Sequence, residues 1–497
     1  MNERTFARRA IAGGLFVAAA LSAAGASAAG LYFSDRGVRP IGRGGAFVAG
    51  ADDLGALWYN PAGLAFAGKS VLVDGSWLNF GSTHQRRSLV RDPSTGQERV
   101  LGEDYFPEVS GSSPILPIPT LAISNDLGVE NWNFAAGVVA PYSAIASYPE
   151  NDLAFQGQVV PPPQRYGLYS LDGSALAMIG AWASYQPSKN LAFGAGLQVL
   201  TGSFNSRLAF SACPPDRLLC AQEDPAYDAV TQLKVGPIAA PSGNAGFIGI
   251  LHDAPSMQVR VGGSIQLPFW VRSGAKVQIR LPTAAVFRDA RVEGDEATVG
   301  FRLPAIARLG LETRLGEKRL TRLEIAAFYE AWSMHDQITI SPRGEGIRLR
   351  GVTGFPDPYT VGELGTARGF RDTYSLHGGI EHTFTLEGYD LTLRGGAAYE
   401  RSAVPPEWLS VLTVDLDKVQ LSAGASLYLM SKKQLRLDAV IGHTFGFSVD
   451  VDPRAAQVTK TKVLRANDPA DEDVTRINGG RYTARATIVG VGLNWSY

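Results

Sequence analysis

Apolar and polar residues alternate with a period of two over long stretches of this chain. In the C-terminal segment TARATIVGVGLNWSY, Val489, Val491, Leu493, Trp495 and Tyr497 form one apolar row, while Gly490, Gly492, Asn494 and Ser496 occupy the positions between. Such alternation predicts a strand with one apolar face. Upstream, Leu435, Leu437, Ala439, Ile441, Phe445 and Phe447 oppose Arg436, Asp438, Gly442 and Thr444, and Val271, Ala275, Val277, Ile279 and Leu281 oppose Arg272, Lys276, Gln278 and Arg280. The runs extend about ten to fifteen residues, against about five or six for an ordinary strand, which suits a tilted strand crossing a bilayer. A soluble sandwich alternates too, but it hides its apolar face against a second sheet.

The connections point the same way, because outer-membrane barrels alternate short periplasmic turns with longer external loops. Short polar breaks are expected near 431–434, 386–389, 316–320, 271 and 187–189, and long connections near 83–118, 141–172, 209–257, 283–297, 336–370, 402–417 and 449–481. Between them the predicted strands are 70–82, 119–126, 131–140, 173–186, 190–208, 258–270, 272–282, 298–315, 321–335, 371–385, 390–401, 418–430, 434–448 and 482–497. The expected fold is all-β: a 14-stranded antiparallel transmembrane barrel, an even count with both ends on the periplasmic side. Beyond the N-terminal region no apolar run reaches the roughly 18 to 20 residues a spanning helix requires.

The front of the chain breaks the pattern. Arg4, Arg8 and Arg9 precede the apolar run AIAGGLFVAAALSAAGA, which ends in small residues around Ala26, Ser27 and Ala28. This is the form of a cleaved secretory signal, 1–29, with Ala29 or Gly30 as the mature start. Residues 30–68 then read as short helices joined by glycine turns. Asp52 is a candidate cap for a turn carrying Leu54, Leu57 and Trp58, and Asn60 caps a second turn in which Pro61 takes the first helical position. This segment holds Phe47, Tyr59, Leu64 and Phe66 besides, too apolar for a disordered tail and too short for a core of its own. It is expected to plug the barrel formed by 69–497.

The stretch GRGGAFVAGADDLGALWYNPAGLAF, with Asn60, Pro61 and Ala62, resembles the hatch of the FadL/TodX-type transporters, which carry long-chain fatty acids and hydrocarbons across the outer membrane of Gram-negative bacteria. The likeness continues in order through RYGLYSLDGSALAMIGAWASYQPSKNLAFGAGLQVL, LPAIARLGLETRL with FYEAW, and FRDTYSLHGGIEHTF with LTLRGGAAYERSAVPPEWL. It implies a fourteen-stranded barrel closed by an N-terminal hatch, an external capture groove, an inner pocket, and sideways release where the third strand kinks inward. In this chain that strand is NWNFAAGVVAPY, and Ala136 and Gly137, with Ala135, are small enough to allow the kink.

Composition narrows the function. The formal charge is −1 with acids and bases interspersed, so there is no basic patch for nucleic acid. Cys213 and Cys220 in CPPDRLLC suit a loop disulfide of an exported protein better than a metal site. His377 and His382 fall on opposite faces of a strand, and no nucleophile turn or phosphate loop is present; no cofactor, metal or catalytic residue is expected, although a Ser/His/acid hydrolase site assembled only in space stays open. Alternation assigns to the lumen Arg260, Arg272, Lys276, Arg280, Arg302, Arg308, Arg314, Arg394 and Arg436 together with Glu312, Glu324, Glu381 and Asp438. Of these Arg260, Arg302, Arg308 and Arg314 are the candidates for a ligand head group, the alternative being solvated or mutually paired charges. The loop residues Ile145, Tyr148, Leu153, Phe155, Val159 and Val160 would form a capture groove or the loop's own small core. The expected partners are outer-membrane lipid, a hydrophobic small molecule and the barrel assembly machinery, the last through the C-terminal aromatic strand; the expected state is a monomer. The competing reading is a general porin, or a structural barrel with a permanent plug.

Overall fold

The computed structural model describes residues 35–91, 95, 97–113, 116–142, 146–213, 223–429, 434–461 and 475–497. The signal segment, Cys220, Ile145 and most of the turn at 431–434 lie outside these residues. The strands close into a fourteen-stranded antiparallel barrel. In order they are β1 (Ser70–Arg86), β2 (Glu108–Ser112 and Leu116–Asn125), β3 (Trp132–Val139), β4 (Ala175–Ser188), β5 (Leu191–Ser211), β6 (Asp228–Ala254) and β7 (Met257–Gln266 and Phe269–Arg280). They continue as β8 (Glu296–Leu303 and Ile306–Leu315), β9 (Thr321–Glu330 and Gln337–Pro342), β10 (Leu364–Ala367 and Thr373–Leu386), β11 (Tyr389–Glu400), β12 (Lys418–Leu429), β13 (Leu435–Gly446) and β14 (Gly480–Ser496). Closure is made by β1 against β14, from Ser70 opposite Ser496 to Arg86 opposite Gly480.

The expected count of fourteen rests on two errors that offset one another. Residues 209–257 were expected to be a loop, but 228–254 form the longest strand, β6. Its Gly236, Pro237, Pro241, Gly243 and Gly246 are turn residues by composition, and they disguise it. Conversely 258–270 and 272–282 are not two strands joined by a corner near 271 but two halves of β7; the turn is at Pro255 and Ser256. The short turns expected near 187–189, 316–320 and 386–389 fall between β4 and β5, β8 and β9, and β10 and β11. Between β10 and β11, Glu387 and Gly388 make a two-residue hairpin connection in which Gly388 takes φ 85°, a conformation glycine adopts without a Cβ penalty.

The outer face carries the apolar row that the C-terminal strand announced. Val489, Val491, Leu493, Trp495 and Tyr497 are exposed, as are Leu437, Ile441 and Phe445 on β13, Phe447 just after it, and Leu309, Leu311, Ile325 and Leu376 on β8 to β10. Aromatic residues border the belt, Trp132, Tyr185, Trp495 and Tyr497 at the turn end and Trp270, Tyr329 and Tyr374 toward the loops. Among the described residues no helix is long and apolar enough to cross a membrane, so the strands do the crossing.

Inside the barrel sits the N-terminal segment, with helices α1 (Val38–Ile41) and α2 (Ala56–Tyr59) and a 3-10 turn, Pro61–Phe66. Phe47, Leu54, Leu57, Trp58, Tyr59 and Leu64 are buried and pack on the wall in one apolar cluster with Leu72, Trp182 and Ala192. Asp52 does not cap α2, whose N-cap is Gly55 without a side-chain bond; Asp53 accepts from Gly55 N at 2.9 Å instead.

Candidate functional site

The lumen has two storeys of opposite chemistry. In the lower one the hatch is seated by charge. Arg39 reaches Asp52 at 2.6 Å, Asp53 at 3.0 Å and Glu381 of β10 at 3.0 Å. Arg43 reaches Glu324 of β9 at 2.9 Å and Glu312 of β8 at 3.3 Å, all three side chains being fully buried. Glu324 also accepts from the backbone N–H groups of Val48, Ala49 and Gly50 at 2.7, 2.8 and 3.1 Å. From the wall, Arg314 and Arg322 meet Asp52 at 3.2 and 2.5 Å, and Arg436 meets Asp53 at 2.7 Å. The inward positions of β8, β9, β10 and β13 that carry Glu312, Arg314, Arg322, Glu324, Glu381, Arg436 and Asp438 deliver these charges, and they are paired as burial demands.

Asn60 is the polar pin of the hatch. Its Oδ1 accepts from Ala62 N at 3.2 Å, which caps the turn begun by Pro61, and its Nδ2 donates to Val48 O at 3.0 Å and to Phe247 O of β6 at 2.9 Å. The wall makes room with glycines: a Cβ on Gly194 would lie 2.3 Å from the Pro61 carbonyl carbon, and one on Gly246 would lie 2.2 Å from Asn60 Oδ1. His377 locks a further point, donating from Nδ1 to Gly44 O at 2.7 Å and accepting from Ser375 at Nε2. His382 is on the other side of β10's alternation, bonded to Thr321 at 2.7 Å.

The four arginines proposed from the sequence separate. Arg260 stacks on Phe66 at 4.4 Å and lies 3.9 Å from Glu312, and Arg314 is held by Glu312 and Asp52. Arg308 is sandwiched between Trp58 at 4.6 Å and Phe328 at 5.4 Å, without a carboxylate within ion-pair distance among the described residues. Arg302 is exposed on the outer face opposite Trp270, and Arg272, Lys276 and Arg280 are outside as well. The physical reason is a slip of the alternation. Below Pro268 and Pro304 the inward positions are the even-numbered Arg260, Gln266, Ile306 and Arg308; above them the odd-numbered Phe269, Val271, Ala275, Val299 and Leu303 face in. Each proline break moves the pleat by one residue and exchanges the two faces.

This exchange builds the upper storey. Above the hatch an apolar cavity of about 140 Å³ is lined by Phe204, Leu233, Val277, Ile279, Ile338 and Ile347 and roofed by loop residues that include Trp408, Leu412 and Ile477. One cation enters this lining. Arg368, in the break of β10, is buried, stacks on Phe370 at 4.9 Å and donates to Thr413 Oγ1 at 3.0 Å, while its Nε has no hydrogen-bond partner and no carboxylate lies within ion-pair distance among the described residues. Burial alone pushes its guanidinium down to about 10, so it stays charged near neutrality. Burial, with Arg368 beside it, pushes His335 down to about 3, leaving that ring neutral and bonded through Nδ1 to Arg302 O at 2.6 Å. Sequence reasoning passed over Arg368 because it lay in what read as a loop, 336–370.

The third strand leaves the wall, but not at Ala136 and Gly137. Those residues are paired on both sides, with Ile123 and Ala122 on β2 and with Ala181 and Gly180 on β4. The chain turns inward only after Val139: Arg36 of the hatch donates to Ala140 O at 2.7 Å and to Pro141 O, and Tyr142 packs edge-on against Trp58 at 6.5 Å. Of the loop residues, Tyr148 is buried against the loop and wall residues Leu78, Val109 and Leu168, whereas Val159, on a small hairpin, is 74% exposed. Cys213 is disulfide-bonded.

A closed barrel with a lipid-facing belt, a charge-seated hatch and an apolar upper chamber defines a plugged outer-membrane transport barrel. Residues 19–496 match the family of outer membrane transport proteins (OMPP1/FadL/TodX), and the chain belongs to it. It is therefore an outer-membrane protein of a transport family rather than an enzyme family. Among solved structures it is similar to a Pseudomonas aeruginosa FadL homologue, at 14% identity and a TM-score of 0.65 over 95% of this chain and 100% of that one. It is also similar to the Pseudomonas putida toluene transporter TodX, at 16% identity and 0.59 over 93% and 99%. At these identities the likeness is one of fold. No curated protein matches.

Proposed function

We propose that the protein is a passive channel for hydrophobic molecules carrying a carboxylate, long-chain fatty acids above all, with the hatch as its gate and release sideways into the membrane where β3 leaves the wall. The observation that carries this reading is Arg368, a buried guanidinium without a carboxylate partner among the described residues, set in the lining of a mainly apolar cavity. A fatty acid satisfies both parts: its chain gains roughly 0.8 kcal/mol for each methylene kept from water, and its head group offers the charge-assisted bond that a buried arginine lacks. The exposed loop hairpin around Val159 is the proposed capture surface, and Asn60, Pro61 and Ala62 are the proposed hinge of the gate. The protein works as a monomer in this reading, inserted by the assembly machinery through the aromatic end of β14.

The test compares cells that carry or lack the protein in uptake of radiolabelled oleate and of a neutral alkylbenzene, with sugar-driven swelling of proteoliposomes alongside. Arg368→Met should lower oleate uptake at least about tenfold, the loss of a buried charged contact worth about 1.5–3 kcal/mol, and leave the alkylbenzene unchanged. Equal loss of both probes would remove the carboxylate from the proposal. A permanently plugged barrel is the second reading, favoured by the density of ion pairs at the hatch; oleate uptake no greater than in cells lacking the protein would support it, and rapid sugar swelling would instead indicate a general porin.

A further inference from the structure

The wall contains a seam between β6 and β7. Toward the periplasm Asn244 faces Gln266 and the pairing runs on to Ala254 opposite Met257; toward the loops Val235 faces Ala275 and it runs on to Val230 opposite Arg280. The pairs that flank the gap belong to one alignment, so the strands do not shift across it; their register shifts only near the turn, between Ile250 and His252. Yet between them residues 236–242 and 268–274 pass side by side without a backbone pair, the lower edge being closed by Leu267 N donating to Gly243 O at 2.8 Å.

The cause lies in the pleats. On β6 the buried positions are Leu233 and Val235 above, but Ile238, Ala240 and Asn244 below, so alternation slips at Gly236 and Pro237. On β7 it slips at Leu267 and Pro268, between buried Gln266 and buried Phe269. The two slips stand at opposite ends of the interval. Within it the strands are out of step: Ala240 is buried where Trp270, which would face it, is 64% exposed. A ladder needs facing residues on the same side of the sheet, so none forms. Elsewhere the slips are matched, β5 shifting register between Gly202 and Phe204 beside Pro237, and β8 breaking at Pro304 and Ala305 beside Pro268. The β8/β9 and β9/β10 pairs also have unpaired stretches, but there β9 is interrupted by a 3-10 turn, Trp332–Met334, whereas at β6/β7 the chains run on side by side.

Side chains close what the backbone leaves open. Ser273 Oγ donates to Pro237 O at 3.0 Å at the upper end, and Ser242 Oγ donates to Leu267 O at 2.8 Å at the lower. Phe269 and Ile238 seal the inside, with Tyr142 edge-on to Phe269 at 5.9 Å, while Leu267 and Trp270 stand on the lipid-facing side. Leu233 and Val277 line the cavity, and Val235, Ala275, Ile238 and Val271 continue in the same apolar cluster down to the seam. An apolar molecule leaving the cavity this way meets apolar side chains until it reaches the outer face, where Arg272 and Arg302 stand beside Trp270, whereas the path through the hatch crosses its buried ion pairs.

We propose that the β6/β7 seam is a lateral gate, separate from the end of β3, through which an apolar molecule passes between the cavity and the membrane, with Phe269 as its inner leaf. The proposal rests on the transport reading above. Opening requires rotation of Phe269 and release of the hydrogen bonds that Ser273, Ser242 and Gln266 make across the seam, and no ladder pair has to break.

The test staples the seam from outside. In Ala239→Cys/Trp270→Cys the two thiols stand on the outer face across the seam, and a short, reducible bis-methanethiosulfonate bridges them. The control, Thr201→Cys/Ala239→Cys, places the same bridge across a directly paired position of the intact β5/β6 ladder. With radiolabelled oleate as probe, the seam staple should lower uptake severalfold, reduction should restore it, and the control staple should leave it unchanged. Unchanged uptake with stapling complete by mass overturns the gate and leaves β3 as the exit. No uptake by the unstapled protein, above cells lacking it, overturns the transport reading and the gate with it.

Discussion

Below Pro268 and Pro304 the wall of this barrel is apolar outside and charged inside; above them it is charged outside and apolar inside. Ile441 of β13 and Val277 of β7 are both apolar residues of alternating strands, yet the first is 56% exposed toward lipid and the second is buried in the cavity lining. The difference teaches that alternation alone does not say which face meets the lumen. The surrounding solvent decides: in hydrocarbon the apolar row belongs outside, and in water it belongs within. A one-residue slip at a proline lets one strand serve both media. Its functional consequence is a lumen whose lower storey grips a hatch by charge and whose upper storey receives an apolar guest.

The strongest way to break the lower storey is to strand its charges. Glu324→Ala removes the nearer carboxylate of Arg43, leaving Glu312 at 3.3 Å, together with the acceptor for three hatch N–H groups. Removing one member of a buried ion pair costs about 3–5 kcal/mol. The hatch should lose its seat while the barrel persists, seen as protease cleavage within 35–67 and as a rise in ion conductance across a planar bilayer. An uncleaved hatch with unaltered conductance would show that Glu324 is dispensable to the seating.

The two storeys are sharpened by moving charge between media. Ile441→Lys sets a cation in the lipid-facing belt and should destabilise the barrel by about 2–4 kcal/mol near the bilayer midplane. Lys276→Ile, on the outer face of the upper wall, should change stability by no more than about 0.5 kcal/mol. Denaturant unfolding in bilayers, followed by heat-modified migration, measures both. Comparable costs would contradict the assignment of Lys276 to water and Ile441 to lipid.

What the sequence disclosed follows the same division. Where a strand meets lipid throughout, as β13 and β14 do, period two identified the strand, its faces and its boundaries, and the polar row Arg436, Asp438 and Thr444 is where it was expected, inside. The failures gather at the slips. Pro237 and Pro241 hid β6 in a loop, Pro268 made one strand look like two, and the exchange of faces above it sent Arg272, Lys276, Arg280 and Arg302 to the wrong side. Asn60 and Pro61 were legible because a cap and a first-turn proline are local signals. Arg368 was not, since its significance depends on what surrounds it in space, and no spacing records the absence of a carboxylate.

The finest test of the comparison is at Asn60, where the hatch touches the wall through hydrogen bonds rather than ion pairs. Asn60→Ala leaves Val48 O and Phe247 O without their donor and uncaps Ala62 N, all in a buried setting. Each unsatisfied buried group costs about 1–3 kcal/mol, and Glu324→Ala leaves three such groups as well as a lost ion pair; Asn60→Ala removes no charge, so the hatch should remain seated more often than not but open more readily. The expected result is an altered rate of oleate uptake with normal assembly and heat-resistant migration. Loss of assembly would make Asn60 a folding element of the barrel, and the gate would then have to be sought among the ion pairs that Arg39, Arg43, Asp52 and Asp53 of the hatch make with the wall.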